Sequence, residues 1–200
     1  IAIGYQALMS YSNHNHYDNV ALGYQSMREI TSGVGNCCLG YVAGQNISSG
    51  WYNVLLGKKA GENITTAYRN ICIGMKAGNT LTTTHDSVYI GTETGQYCDQ
   101  QNIAIGYQSM RYQCSSYNIA IGYQAMVGTN HTGRAQNVCI GYQTLNPATS
   151  ASWNVAIGHQ AAMRVTSGNY NTLVGYQAGQ YVMSGGNNIC LGKASGTYIY

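Results

Sequence analysis

Seven cysteines, five histidines and six acidic residues are the side chains in this 200-residue sequence with the types needed for catalysis or metal binding. The cysteines are Cys37, Cys38, Cys72, Cys98, Cys114, Cys139 and Cys190. An odd number with no CxxC pair argues against a zinc site and against a simple disulfide framework. His14 and His16, in "HNH", would lie on one side of an extended strand. Three such pairs around an oligomer axis could hold a metal, but the segment reads as a solvated loop, so no metal site is expected. The acids Asp18, Glu29, Glu62, Asp86, Glu93 and Asp99 are scattered, with no paired carboxylates for acid–base work. No G-x-S-x-G or phosphate loop occurs. The expectation is a protein that is not an enzyme and takes no cofactor. Tyr5, Tyr24, Tyr41, Tyr107, Tyr123, Tyr142 and Tyr176 each follow a glycine. Such tyrosines could form a stripe for stacking sugars, but packing against one another is the stronger expectation.

Composition narrows the partners. Charged residues make up 8% of the chain, against roughly 25% in an average globular protein. No apolar run approaches the roughly 20 residues of a membrane-spanning helix, so membrane contact by this segment is not expected. The net charge of +3 is dispersed, and without a basic stripe nucleic acid is not an expected partner. No signal peptide is visible. The sequence opens at Ile1 in mid-pattern, which suggests a fragment of a longer fibre.

The elements that position these side chains come from a repeat. Twelve glycines each close a short apolar run: Gly4, Gly23, Gly40, Gly57, Gly74, Gly91, Gly106, Gly122, Gly141, Gly158, Gly175 and Gly192. Their spacings are 19, 17, 17, 17, 17, 15, 16, 19, 17, 17 and 17. Four residues before the glycine stands asparagine, at Asn19, Asn36, Asn53, Asn70, Asn102, Asn118, Asn137, Asn154, Asn171 and Asn188, with Ser87 as the substitute. Ile, Leu or Val always precedes the glycine, and Ala, Ser or Thr always stands three residues after it. The consensus is N-[VI]-[AC]-[IL]-G-Y-Q-[AS]-[GM]. A period this short is below that of helical hairpin repeats and suits one coil of a parallel β-solenoid. With coils about 4.8 Å apart, twelve would extend roughly 55–60 Å as one array spanning residues 1–200. Stacked asparagines should form a hydrogen-bonded ladder, the glycines should turn the chain, and the glutamines after the tyrosines should form a further ladder.

Alternation along each strand assigns two faces. The positions three and one before the glycine, such as Val155 and Ile157, are expected to fill the coil. The position between them would then point outward. It is occupied by Ala2, Ala21, Cys38, Leu55, Cys72, Tyr89, Ala104, Ala120, Cys139, Ala156, Leu173 and Cys190, with no charged residue. An outward face without polar residues should be covered. Ala21 and its successors through Cys190 are therefore expected to form a subunit interface in an oligomer. Five of the seven cysteines lie on strands where other coils carry Ala or Val, and read as small hydrophobes. Cys38 and Cys72 are two coils apart, about 10 Å, beyond disulfide reach. Free cysteines point to assembly in a reducing compartment.

The repeated "NVAIG" and "NIAIG", with a small residue three positions after the glycine, resemble the head repeats of trimeric autotransporter adhesins (the YadA-like head). Similar repeats occur in fibre proteins of phages and large viruses. The resemblance covers all twelve repeats. It implies a left-handed parallel β-roll, an intertwined homotrimer and a role in attachment to a surface receptor or glycan. The coil is longer than is usual in that family, and the "YQ" after the glycine is closer to viral fibre sequences. The expected location is extracellular or on a virion surface appendage. The alternatives are a subunit of a self-stacking, head-to-tail filament or sheath and an ice-binding solenoid, for which the threonines, clustered as at Thr82 to Thr84, make too irregular an array. Asn46, Asn63 and Asn130 open N-x-[ST] triplets in the spacers. The spacers, "GRAQ" at 133–136 among them, are expected outside the coil.

Overall fold

A computed structural model describes residues 1–9, 17–112, 114–128, 133–147 and 150–197. It is all-β, as the repeat predicts, and no helix occurs among the described residues. Residues 1–96 and 97–200 form two compact units. The first unit carries β1 (Ala2–Ile3), β2 (Val20–Leu22), β3 (Cys37–Leu39), β4 (Val54–Leu56), β5 (Ile71–Ile73) and β6 (Val88–Ile90). The second carries β7 (Ile103–Ile105), β8 (Ile119–Ile121), β9 (Val138–Ile140), β10 (Val155–Ile157), β11 (Thr172–Val174) and β12 (Ile189–Leu191). Within each unit every strand pairs in parallel with the next in sequence, in register at the repeat spacing. Val54 sits opposite Ile71 and Leu55 opposite Cys72, and Ile119 opposite Val138. Each unit is thus a β-solenoid. Six strands delimit five complete turns in each.

Each strand is short because both ends are punctuated. Before it stands the asparagine, buried in both units, whose side chain works in three directions. Asn53 donates from Nδ2 to Asn36 Oδ1 (2.9 Å) and to the Ala67 carbonyl (2.8 Å). Its Oδ1 accepts from the backbone N–H and the Nδ2 of Asn70, both at 3.1 Å. The same bonds recur from Asn118 to Asn137 and from Asn154 to Asn171. The expected ladder exists in both units. At the other end, the anchor glycines have φ between 105° and 142°, a region essentially closed to side chains. A Cβ on Gly57 would also lie 2.7 Å from the Gly74 carbonyl oxygen of the next turn. After the anchor the chain turns a corner with left-handed residues at the second and fourth positions, such as Gln25 and Met27, or Lys59 and Gly61.

The strand faces are the reverse of the expectation. Ala21, Cys38, Leu55, Cys72, Tyr89, Ala104, Ala120, Cys139, Ala156 and Leu173 are 0% exposed, and Cys190 3%, within a single chain. They fill the coil and cannot form a subunit interface; Ala2, on the first strand, is exposed. The residues flanking them point outward. The physical reason is width. A narrow coil accepts small side chains from this strand because a second wall already fills its interior. That wall comes from the fourth and seventh positions after the anchor. The seventh supplies Ile30, Ile47, Ile64 and Leu81 in the first unit and Val165 and Val182 in the second, all 2% exposed or less.

The fourth position faces the strand's central residue across the coil, and the two share one volume. In three coils alanine on the strand goes with methionine at the corner, both fully buried: Ala21 with Met27, Ala104 with Met110, Ala120 with Met126. A larger strand residue meets glycine. A Cβ on Gly61 would approach Leu55 Cδ2 to 2.7 Å, one on Gly44 would approach Cys38 Sγ to 2.7 Å, and one on Gly179 would approach Leu173 Cδ2 to 2.6 Å. Tyr89, the largest strand residue, faces Gly95. In these coils a large residue at one position goes with a small one at the other; Ala156 with Ala162 and Cys139 with Leu145, all fully buried, depart from that pattern.

Candidate functional site

The outward strand positions make the largest chemical feature of each unit. In the first unit these are Val20, Cys37, Val54, Ile71 and Val88 in one column and Leu22, Leu39, Leu56, Ile73 and Ile90 in the other. All are partly or largely exposed, Leu39 to 46% and Ile71 to 37%. The second unit repeats this from Ile103 and Ile105 to Ile189 and Leu191, with Thr172 the one polar member. A parallel ladder two side chains wide and without charge is unusual for a surface in water, where contiguous apolar patches mark interaction sites. The uncharged face of each strand that meets solvent is thus the pair of flanking positions, not the central position.

Beside this face runs the corner after the anchor glycine. Tyr5, Tyr24 and Tyr41 stack in the first unit with ring centroids 5.4 and 5.2 Å apart. Tyr107, Tyr123, Tyr142, His159 and Tyr176 stack in the second at 4.8 to 5.3 Å. The lysine of the next turn ends each column: Lys58 Nζ lies 5.8 Å from the Tyr41 centroid and Lys193 Nζ 6.0 Å from that of Tyr176. The expectation of packing between coils holds. Because successive rings cover one another's faces, the columns present edges and hydroxyls to solvent. A sugar-stacking platform needs open ring faces. The neighbouring glutamines form the expected ladder: Gln124 Nε2 donates to Gln108 Oε1 and Gln143 Nε2 to Gln124 Oε1, both at 3.0 Å.

A third column in the first unit stacks Trp51, Tyr68 and His85 with centroids 4.4 and 4.7 Å apart. Arg69 lies over Trp51 and Tyr68 and forms a bidentate pair with Asp86 at 2.6 and 2.7 Å. The guanidinium holds the Asp86 carboxyl below its usual range, and the His85 ring nitrogen 2.9 Å away adds to this. On the same side, Thr31, Ser48 and Thr65 donate their hydroxyl protons to the carbonyls of Ser48, Thr65 and Thr82 in the next turn. Those hydroxyls serve the coil, which counts against a free hydroxyl array of the ice-binding kind.

The cysteines divide differently from the expectation. Cys98 and Cys114 form a disulfide with Cα atoms 4.7 Å apart. Each stands eight residues before its anchor, Gly106 and Gly122, so the coil step places them opposite one another in a parallel bridge. That equal offset from the anchor is the signal in the sequence for this pair. The other five are free. Burial raises the thiol of Cys38 and pushes that of Cys72 up to about 12, so these are packing groups and poor nucleophiles. Arg134, in the spacer expected outside, is fully buried. Burial lowers its guanidinium to about 10, and Nη2 donates to the Tyr112 carbonyl at 2.7 Å. Its signal is faint: one arginine in an otherwise small, polar stretch.

Asn46 donates to Asn63 at 3.0 Å, and Asn63 to the Asn79 carbonyl at 2.8 Å, so these two triplet asparagines form a second ladder. Asn130, His14, His16 and His131 lie outside the described residues. Among the described residues no group of three His, Cys, Asp or Glu side chains could hold a metal ion, and no helix is long and apolar enough to cross a membrane. Comparison with known protein families, with curated proteins and with solved structures found no match.

Proposed function

We propose that this chain is the repeat segment of a structural and adhesive fibre, a shaft or head that carries attachment to a surface receptor or glycan, and that it self-associates through the outward strand face. One observation carries this reading: two apolar columns, without a charge, stand in solvent along each unit. A second copy presenting the same face would remove them from water, at about 25 cal/mol for each Å² buried. A closed, self-complementary assembly would cover every copy equally. Three intertwined copies with a left-handed coil are what the resemblance to adhesin head repeats implies. Varied spacers around a repeated core suit a fibre that meets its target with the spacers.

Light scattering tests the assembly. The expected mass is three times the 21.5 kDa of the chain. Val155→Glu with Ile157→Glu, both half-exposed on β10, should give monomers with an unchanged far-ultraviolet circular dichroism spectrum. A monomeric unmodified chain would overturn self-association. A mass distribution without an upper limit would replace the closed trimer by an end-to-end filament.

A further inference from the structure

Six tyrosines stack in two uninterrupted runs. Tyr5, Tyr24 and Tyr41 have successive planes within 16° and 8°, and Tyr107, Tyr123 and Tyr142 within 20° and 7°. All six are 41% to 64% exposed, so their edges and hydroxyls meet solvent although their faces are covered. We propose that these runs are sites of oxidative carbon–carbon coupling, which joins neighbouring coils through dityrosine.

The chemistry is balanced with a one-electron oxidant, such as a peroxidase ferryl haem or a photogenerated Ru(III) complex. A phenol gives one electron to the oxidant and its hydroxyl proton to water, leaving a neutral phenoxyl radical with spin on the ring carbons ortho to oxygen. A neighbour oxidised in the same way supplies the second radical. The two ortho carbons form one bond, and the hydrogens they carried pass through water to the two oxygens, restoring both phenols. Two tyrosines thus yield one dityrosine, two protons and two electrons, and the oxidant takes both electrons.

Geometry selects the partners. Ring centroids 5.2 to 5.4 Å apart hold each phenol beside the next. Rotation about Cβ–Cγ is soft, and turning both exposed rings from stacked to edge-on carries their ortho carbons toward one another. Coupling within a run has the advantage of a reaction between groups already in place. His159 lies between Tyr142 and Tyr176, so Tyr176 has an imidazole for its neighbour where a phenol is required. Four pairs remain: Tyr5–Tyr24, Tyr24–Tyr41, Tyr107–Tyr123 and Tyr123–Tyr142. The linkage would be covalent and parallel to the hydrogen-bonded ladders, so an oxidising surface environment would lock coils that, apart from the pair joined by Cys98–Cys114, are held by non-covalent contacts.

The test uses the whole chain in dilute solution, a ruthenium tris-bipyridyl photo-oxidant and persulfate as the final electron acceptor. Dityrosine is read by its blue fluorescence, and the linked peptides are identified by tandem mass spectrometry. The expected links are those four pairs within one chain. Tyr123→Phe keeps a stacked ring but removes two of the four pairs, so intrachain yield should fall to about half. Tyr24→Phe together with Tyr123→Phe should abolish it. Tyr117→Phe, at an exposed tyrosine in no ring stack among the described residues, should change nothing. Links formed mainly between chains or through Tyr117, or an intrachain yield that survives the double variant, would overturn the proposal.

Discussion

The pairing of strand residue with corner residue makes a sharp prediction at Leu55 and Gly61. Leu55 is fully buried, and a Cβ on Gly61 would lie 2.7 Å from one of its methyl carbons. Leu55→Ala alone leaves a cavity with no opposing side chain to collapse into it, costing about 3–4 kcal/mol. Gly61→Met alone overfills the same space, costing about 1–3 kcal/mol. It also places a side chain at φ 54°, costing about 1 kcal/mol more. Were the sites independent, the double variant would lose about 5–8 kcal/mol. Instead it recreates the Ala21–Met27 arrangement, in which Met27 is fully buried at φ 48°. The backbone of a coil therefore tolerates that combination. The double variant should fall only about 1–2 kcal/mol below the parent, a coupling of about 4–6 kcal/mol. Urea denaturation of the four proteins, followed by far-ultraviolet circular dichroism, measures the cycle. Losses that add to within about 0.5 kcal/mol would refute the shared-volume account.

Two further outcomes follow from the ladders and the buried thiols. Asn53→Ala removes two donated and two accepted hydrogen bonds and leaves the Asn70 N–H and the Ala67 carbonyl buried without that partner. At about 1 kcal/mol per bond with an added desolvation penalty, urea denaturation should show a loss of about 3–5 kcal/mol; a loss under 1 kcal/mol would mean that the ladder merely follows the fold. For pH, Cys72 ionises near 9.0 when unfolded but only at about 12 when folded. The unfolded chain therefore releases the proton first as pH rises, so the contribution of this thiol is intact below pH 9.0 and is lost between 9.0 and about 12. Within that window Cys72→Ala should reduce the fall in stability by about 1.4 kcal/mol per pH unit; an unchanged slope across denaturation curves at several alkaline pH values would show that the thiol titrates normally in the folded chain.

Much of the fold was legible because a solenoid turns sequence period directly into structure. The glycine spacing gave every strand, and the asparagine four residues earlier gave the ladder. What the period cannot reveal is the direction of a side chain when both faces of a strand are apolar. Val-Ala-Ile reads equally well with the alanine inside or outside, since no charge on either face breaks the tie. The resolving information lay six residues further along, in the fourth residue after the glycine. That position is glycine when the strand residue is Leu55 or Tyr89 and methionine when it is Ala21 or Ala120. The trend is partial, since Ala156 goes with Ala162 and Cys139 with Leu145, but two positions whose sizes run opposite in most coils are the signal that they share space inside the coil.

The reversal of the faces also alters what the chain can do in company. Had the small residues been outward, neighbouring copies would have approached closely and in a register fixed by Ala and Cys. With branched residues outward, the surface is a corrugated strip whose ridges repeat once per coil, at about 4.8 Å. Under the proposed self-association, such a strip would fit another copy in several registers that differ by whole coils, each burying nearly the same apolar area. The strip would then supply affinity but little choice of register. In that assembly specificity would come from what breaks the repeat. The coil lengths of 15, 16 and 19 residues among those of 17 do so, as do Thr172 on the strip and the disulfide between Cys98 and Cys114. Irregularities of this kind look like wear in a repeat, but in a self-associating strip they are the features able to select one alignment over the rest.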